Sequence, residues 1–300
     1  MTEHITVLLK EAVKALEVQA GGIYIDCTLG SGGHAESILK AGGQYIGIDA
    51  DPKAVRKAET RLERYGGKTL INRNFSHLSS ICSELEVTCA DGVLFDLGMS
   101  SVQLEAEGRG FSFQRNEPLD MRFSPTQDVT AADIVNNYPE SDLADVIYEY
   151  GEERRSRVIA RRIVQNRPIR TSGHLAEVVQ SAVGRKGKIH PATKTFQALR
   201  IAVNDELGSL KAGLDQAIEL LCEDGRIAII SFHSLEDRIV KEKLRREAAA
   251  CVCPKGAPIC VCNHNPRLKL MPRKAIKPTE QEVLQNPRSR SARMRVAQKI

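Results

Sequence analysis

The chain has 300 residues, 42% of them hydrophobic, which suffices for one large domain or two ordinary ones with a substantial core. No run of 18 apolar residues occurs, so no membrane span is expected, and Glu3, Lys10 and Glu11 around the first apolar patch do not make a signal peptide. The net charge of +5 is unevenly placed: residues 267–300 hold ten Lys/Arg against two acids, leaving −3 on the rest. A basic segment on a near-neutral body points to a polyanionic partner, above all nucleic acid.

Leu8 to Val18 has the apolar spacing of an amphipathic helix. Gly22-Ile-Tyr-Ile-Asp26 reads as a buried strand, broken by the cluster Gly30-Ser-Gly32-Gly33-His34 before a helix from Ala35 to Lys40. A strand, a glycine turn and a helix start form a cradle for a nucleotide-like ligand in an open α/β sheet. Tyr45-Ile-Gly-Ile-Asp49 is the next strand, and its acid lies 19 residues past Gly30, about the interval at which a carboxylate reaches ribose hydroxyls. Asp51-Pro52 starts a helix that runs through Leu62 and stops at Gly66-Gly67. Lys68 to Asn72 is a third strand, followed by Phe75 and a helix, and Asp91 to Asp96 is a fourth, ending in the turn Leu97 to Ser101.

The alternation then stops. Pro118 to Thr126 is turn-rich, and Thr130 to Val183 is helical and heavily charged, with Arg154, Arg155, Arg157, Arg161 and Arg162 set among Glu149, Glu152 and Glu153. These arginines either hold phosphates or form ion pairs within their helices. The pattern resumes with a helix from about Glu206 to Cys222, a strand from Gly225 to Ser231, a turn carrying His233, and a helix from Leu235 to Arg246. Ser291 to Ala297 is the last strand, with Ala292, Met294 and Val296 on one face and Arg293 and Arg295 on the other. The expected architecture is a doubly wound α/β sheet formed by residues 1–104 and 207–300, with an inserted helical domain over 105–206.

Two cofactors fit the glycine turn. Gly30-x-Gly32-x-x-Ala35 loosely satisfies the nicotinamide fingerprint, but Asp26 beside the turn and Asp96 on a later strand favour S-adenosylmethionine. That ligand carries a sulfonium and an ammonium, which carboxylates attract; they would repel a pyrophosphate. Eight cysteines in a long chain without an export signal read as reduced thiols in a cytosol. Cys251, Cys253, Cys260 and Cys262, with His264 nearby, either enclose a structural zinc ion or stand as free thiols in a hairpin-like loop, and free thiols are the expectation.

Several longer strings carry a resemblance. Asp96-Leu-Gly-Met-Ser-Ser-Val-Gln-Leu104, Arg109-Gly-Phe-Ser-Phe113, Pro118-Leu-Asp-Met-Arg122, the stretch His190 to Glu206, Ile230 to Ile239 and Asn286 to Ala292 resemble those of the bacterial methyltransferases that modify a cytidine N4 in small-subunit (16S) ribosomal RNA. The likeness runs almost end to end. It implies a class I S-adenosylmethionine-dependent fold (a Rossmann-like doubly wound sheet), a cytoplasmic enzyme, and a target in the decoding centre where messenger and P-site transfer RNA meet. It places the cofactor on Gly32, Gly33, His34, Asp49, Phe75, Asp96 and Gln103, of which the residues alone had indicated Gly32, Gly33, Asp49 and Asp96, together with Gly30.

For methyl transfer to N4, Asp96 or its turn would accept a hydrogen bond from the amine, with Ser100 and Ser101 as auxiliary contacts. Enzymes that methylate base amines commonly follow this acid with prolines and an aromatic, whereas Leu97-Gly98-Met99 stands here. Phe111 or Phe113 beside Arg109 would then stack on the base, or else anchor their loop to the core. Arg288, Arg290, Arg293 and Arg295 are the expected phosphate contacts in the basic segment. His233 and His190 read either as proton relays or as hydrogen-bonded structural histidines. A non-catalytic RNA-binding ribosome-assembly factor and, more remotely, a nicotinamide-dependent oxidoreductase are the competing readings.

Overall fold

The computed structural model describes residues 5–99, 108–185, 190–254 and 259–300. The chain divides into two compact units, residues 1–100 with 208–300 and residues 101–207. Among the described residues no helix is long and apolar enough to cross a membrane.

The first unit opens with helix α1 (Leu9–Leu16), then β1 (Ile23–Asp26), α2 (Gly33–Lys40), β2 (Gln44–Asp49), α3 (Pro52–Leu62), β3 (Lys68–Asn72), α4 (Leu78–Glu84) and β4 (Ala90–Asp96). The return of the chain adds β5 (Leu221–Ser231), β6 (Leu268–Leu270) and β7 (Arg293–Lys299). These strands form one sheet in the order β3-β2-β1-β4-β5-β7-β6. β3, β2, β1, β4 and β5 run parallel, while β7 is antiparallel to both β5 and β6. This is a Rossmann-like doubly wound sheet, wound both ways from β1 and β4.

Alternate side chains of each strand feed two cores. Ile25, Val93, Phe95, Ile227 and Ile229 pack with α4 through Leu78 and Ile81 on one side. Tyr24, Leu94, Ala228 and Ile230 pack on the other with Leu16 of α1 and Ile38 of α2. Helix starts follow local chemistry: the Asp51 side chain accepts from Lys53 N–H at 2.9 Å, and Pro52 occupies the first helical position of α3.

The cysteine expectation needs correction. Cys89 and Cys222 form a disulfide with their Cα atoms 5.0 Å apart, and the other six cysteines form none. The pairing of β4 with β5 brings it about, because Ala90 lies opposite Leu221 and the flanking cysteines become neighbours. The register shift between Ala90 and Gly92 also lets β5 begin at Leu221, four residues earlier than expected.

The second unit is helical, with α5 (Ala131–Asn137), α6 (Glu140–Gly151), α7 (Ser156–Gln165), α8 (Ser172–Val183) and α9 (Thr193–Asn204). Helix α6 packs on α9 and α7, and α7 packs on α8. Leu143, Ile147, Ile159, Ile163, Leu175 and Leu199 are fully buried in it. Thr130 and Asp133 form a reciprocal capping box at the start of α5. The buried amide of Asn204 ties α9 to the loop before α5, accepting from Phe123 N–H at 2.7 Å and donating to the Met121 carbonyl at 2.8 Å. Helix α10 (Glu206–Leu220) then leads back into β5; the first unit also holds α11 (Ser234–Glu247) and α12 (Glu280–Gln285).

Candidate active site

Parallel strands put their carboxyl ends on one edge, and here that edge gathers acids. Asp26, Asp49 and Asp96 are the last residues of β1, β2 and β4. Between Asp26 and α2 the chain turns through Gly30 and Gly32, the latter at φ +79°, where an L side chain would be strained. At Gly33 a Cβ would collide with the Thr6 hydroxyl, so the first turn of α2 comes close to the N-terminal segment only because the residue is glycine.

The three acids differ in what already bonds them. Asp26 is fully committed: Thr28 donates its N–H at 2.9 Å and its hydroxyl at 3.1 Å to Oδ1, and the buried Tyr45 hydroxyl donates to Oδ2 at 2.8 Å. Burial raises its pKa against those three donors. Asp49 is half committed, with Oδ2 accepting from Gly30 N–H and Oδ1 from Asp51 N–H, both at 2.8 Å. Burial pushes it up to about 6, opposed by those two amides and reinforced by Asp51 and Asp26.

Asp96 is the least satisfied. Its own N–H donates to the Thr28 hydroxyl at 2.6 Å, which links β4 to the turn after β1. Its Oδ2 lies 3.8 Å from Nδ1 of the buried His34. Its Oδ1 is enclosed and has no hydrogen-bond partner among the described residues. The side chain as a whole keeps 24% exposure, on the Oδ2 side. Burial, then the charges of Asp26 and Glu236, raise its pKa well above the ordinary carboxylate range. Three acids that disfavour one another's ionisation form a seat for a positively charged ligand. Phe75 stands in the turn after β3, half-buried, with its ring edge-on to Phe95 at 5.4 Å.

Gly30, Gly32, Gly33, His34, Asp49, Phe75 and Asp96 thus all sit at this edge of the first unit, and Gly30–Asp49 and His34–Asp96 are direct neighbours. Ser100, Ser101 and Gln103 lie outside the described residues. Sequence reasoning did not single out Thr28, Tyr45 or Glu236. Thr28 was findable, since Asp-x-Thr is the spacing of an Asx turn, but the reach of Tyr45 to Asp26 depends on the strand register.

The profile of the MraW methylase family matches residues 1–300. The chain belongs to that family. Its relatives include proteins named ribosomal RNA small subunit methyltransferase H. Those from two strains of Dehalococcoides mccartyi are 55% and 53% identical, over 100% and 99% of this chain and 88% and 86% of their own lengths. That from Thermomicrobium roseum is 51% identical over 100% of this chain and 94% of its own. Among solved structures, an rRNA methylase from Streptococcus thermophilus aligns over 100% of this chain and 99% of its own at a TM-score of 0.45 and 10% identity, which adds nothing to the sheet order.

The other site residues fall as follows in this MraW-family chain. Arg109 donates from Nη1 to the carbonyls of Arg122 and Phe123, both at 3.2 Å. Phe111 is 8% exposed and packs on Phe123, ring centroids 5.8 Å apart. Phe113 is half-buried, stacked on His190 at 4.4 Å and edge-on to Phe196 at 5.2 Å. Arg288 and Arg290 are exposed in the turn before β7. Arg293 and Arg295 both pair with Asp237 of α11, at 3.0 and 2.7 Å, so their face of β7 is partly neutralised.

His233 caps α11. Its Nδ1 accepts from Glu236 N–H at 3.4 Å, while the Glu236 carboxylate accepts from His233 N–H at 3.2 Å. Of the helical arginines, Arg155 donates to the carbonyls of Val183 and Ala182 at the end of α8, Arg162 donates to the Ser181 hydroxyl at 3.2 Å, and Arg161 pairs with Glu140 at 3.4 Å.

Proposed function

We propose that this chain methylates the exocyclic N4 of a cytidine in the decoding-centre (P-site) region of 16S ribosomal RNA. The cofactor is S-adenosylmethionine. When bound it supplies an electrophilic methyl group next to a positive charge. Asp49 has one lone pair left on each oxygen after its two backbone bonds, the number needed to accept from two vicinal ribose hydroxyls. The glycine turn leaves backbone exposed for close approach, and Phe75 offers an apolar surface at the neighbouring strand end.

The observation that carries the chemistry is the under-bonded Asp96 carboxylate at the end of β4: among the described residues Oδ1 is enclosed without a partner, and the side chain keeps its exposure on the Oδ2 side, where an amine N–H can reach it. The N4 lone pair of cytosine is delocalised into the ring, so the amine is a poor nucleophile until an acceptor draws on its N–H and lets the nitrogen pyramidalise. Asp96 performs this in its ionised form, which a nearby positive charge favours against burial and the Asp26 and Glu236 carboxylates. Three acids on one rim also disfavour a dinucleotide pyrophosphate, which sets the oxidoreductase reading aside.

The helical unit is proposed to recognise the RNA, with Arg109 and Phe113 as its contacts, and Arg288 and Arg290 to hold phosphates on the methyltransferase unit. A ribosomal substrate places the protein in the cytoplasm. The test is radiolabelled methyl transfer to small subunits from cells lacking this chain, followed by mass mapping of the modified nucleotide. Label on a cytidine N4 is expected; label elsewhere, or cofactor binding without any transfer, refutes the assignment and the latter favours the assembly-factor reading.

A further inference from the structure

The loop from Cys251 to Cys262, between α11 and β6, takes no part in the site above. Its cysteines follow the pattern C-x-C-x6-C-x-C. All four Sγ atoms lie within 4.8 Å of one another. Cys251 to Cys260 and Cys260 to Cys262 are 3.5 Å apart, and Cys262 to Cys251 is 3.8 Å. Four thiolates around one zinc ion at ~2.3 Å have sulfurs ~3.8 Å apart, the edge of a tetrahedron. A disulfide would single out one pair at ~2.05 Å, and the three distances single out none.

The burial of the loop runs against a hydrophobic origin for this cluster. Ile259 and Val261, which alternate with Cys260 and Cys262, are 74% and 78% exposed. Apolar collapse would turn those two side chains inward; here the sulfurs converge instead, and thiols are weak hydrogen-bonding groups that do not hold a loop by themselves. Backbone donors also point at sulfur, Val252 N–H to Cys262 at 3.5 Å and Cys253 N–H to Cys251 at 3.4 Å. Such donors stabilise thiolates, the form that binds a metal.

The frame around the cluster is closed. Glu247 and Arg267 tie the two ends of the loop, by Arg267 N–H to the Glu247 carbonyl at 2.8 Å and Arg267 Nε to Glu247 Oε2 at 2.8 Å. His264 sets its Nε2 2.9 Å from the Arg246 carbonyl, so the imidazole is engaged and the donor set is four sulfurs. Four protein ligands leave no open position, which marks a structural rather than a catalytic ion.

We infer that Cys251, Cys253, Cys260 and Cys262 bind one structural zinc ion that fixes the loop leading into β6. This replaces the expectation of free thiols. The experiment uses the full chain, purified without a histidine tag or chelator, with metal content read by mass spectrometry. One zinc per chain is expected, released in step with titration of the loop thiols by a mercurial reagent. Cys251→Ser and Cys262→Ser are expected to lose most of the zinc while keeping S-adenosylmethionine affinity, and Cys27→Ser to keep both. Metal-free protein whose loop thiols all react at once with a disulfide reagent overturns the inference. So does a native mass two protons light per cystine in this loop, or iron with its visible absorption in place of zinc.

Discussion

Asp49→Asn is the substitution in which stability and ligand binding should part company. In the folded chain the carboxyl titrates at about 6 rather than 3.8, chiefly because of burial. The folded form therefore holds its proton to higher pH than the unfolded chain, folding takes up a proton between about pH 4 and 6, and stability falls as pH rises through that window. The ionised group costs the fold about 3 kcal/mol above pH 6 and about 1 kcal/mol at pH 4.5. Asparagine removes that cost but sets an NH2 against either Gly30 N–H or Asp51 N–H, which leaves a donor without its acceptor at about 1–3 kcal/mol. The variant should be nearly as stable as the parent at pH 8 and less stable at pH 4.5, the difference moving in its favour by about 2 kcal/mol. Urea unfolding at the two pH values measures this. S-adenosylmethionine binding should weaken about 10–150-fold, because one of two charge-assisted acceptors is lost. In the parent, affinity should fall as pH drops through 6. A stability difference that is the same at both pH values refutes the burial argument, and unchanged affinity refutes the ribose assignment.

Asp96→Asn keeps shape and removes one charge from the seat of the cationic ligand, so cofactor affinity should weaken while methyl transfer at saturating cofactor falls about 10²–10⁴-fold; unchanged turnover at saturation excludes the carboxylate as acceptor. Phe111→Ala should lower the stability of the helical unit by about 3 kcal/mol, measured by calorimetry, because it empties a buried ring site against Phe123. RNA affinity lost beyond the unfolded fraction would mean that Phe111 touches the base. Glu36 is held at about 2 by Lys40 and Arg61, then Arg64 and Tyr65, so its stabilising effect is full above pH 4.5 and is lost as pH falls through about 2. Its partners are largely exposed, and Glu36→Gln should cost only about 1 kcal/mol at pH 7 and progressively less at pH 3, by urea unfolding.

What could be read in advance was whatever depends on neighbours in sequence. The strands β1, β2 and β4 announce themselves as apolar runs ending in an acid, and Asp51-Pro52 marks the start of α3 to the residue. Helix α9 passed unassigned because Thr195 and Asn204 sit on its buried face. Asn204 is tolerated there through bonds to Met121 and Phe123, some 80 residues away in the chain. The three residues of β6 are too few to show a period, and only pairing with β7 makes them a strand. Arg293 and Arg295 read as a basic face; Asp237, 56 and 58 residues upstream, meets both. Cys89 and Cys222, separated by 133 residues, become neighbours only through strand register.

The same limit explains the site. In the sequence Asp26, Asp49 and Asp96 each close a strand, and nothing there shows how far each is already bonded. Hydrogen bonding makes them unlike. Asp26 receives three donors and can offer a ligand only its charge, so its work is to hold Thr28 and Tyr45 and through Thr28 to position β4. Asp49 receives two and retains a lone pair on each oxygen, which suits neutral hydroxyls. Asp96 has an enclosed oxygen with none among the described residues, the costliest of the three arrangements to maintain and the one a structural role would not require. Unsatisfied polarity rises along the chain from β1 through β2 to β4, and chemistry is expected at the carboxylate the protein leaves least bonded.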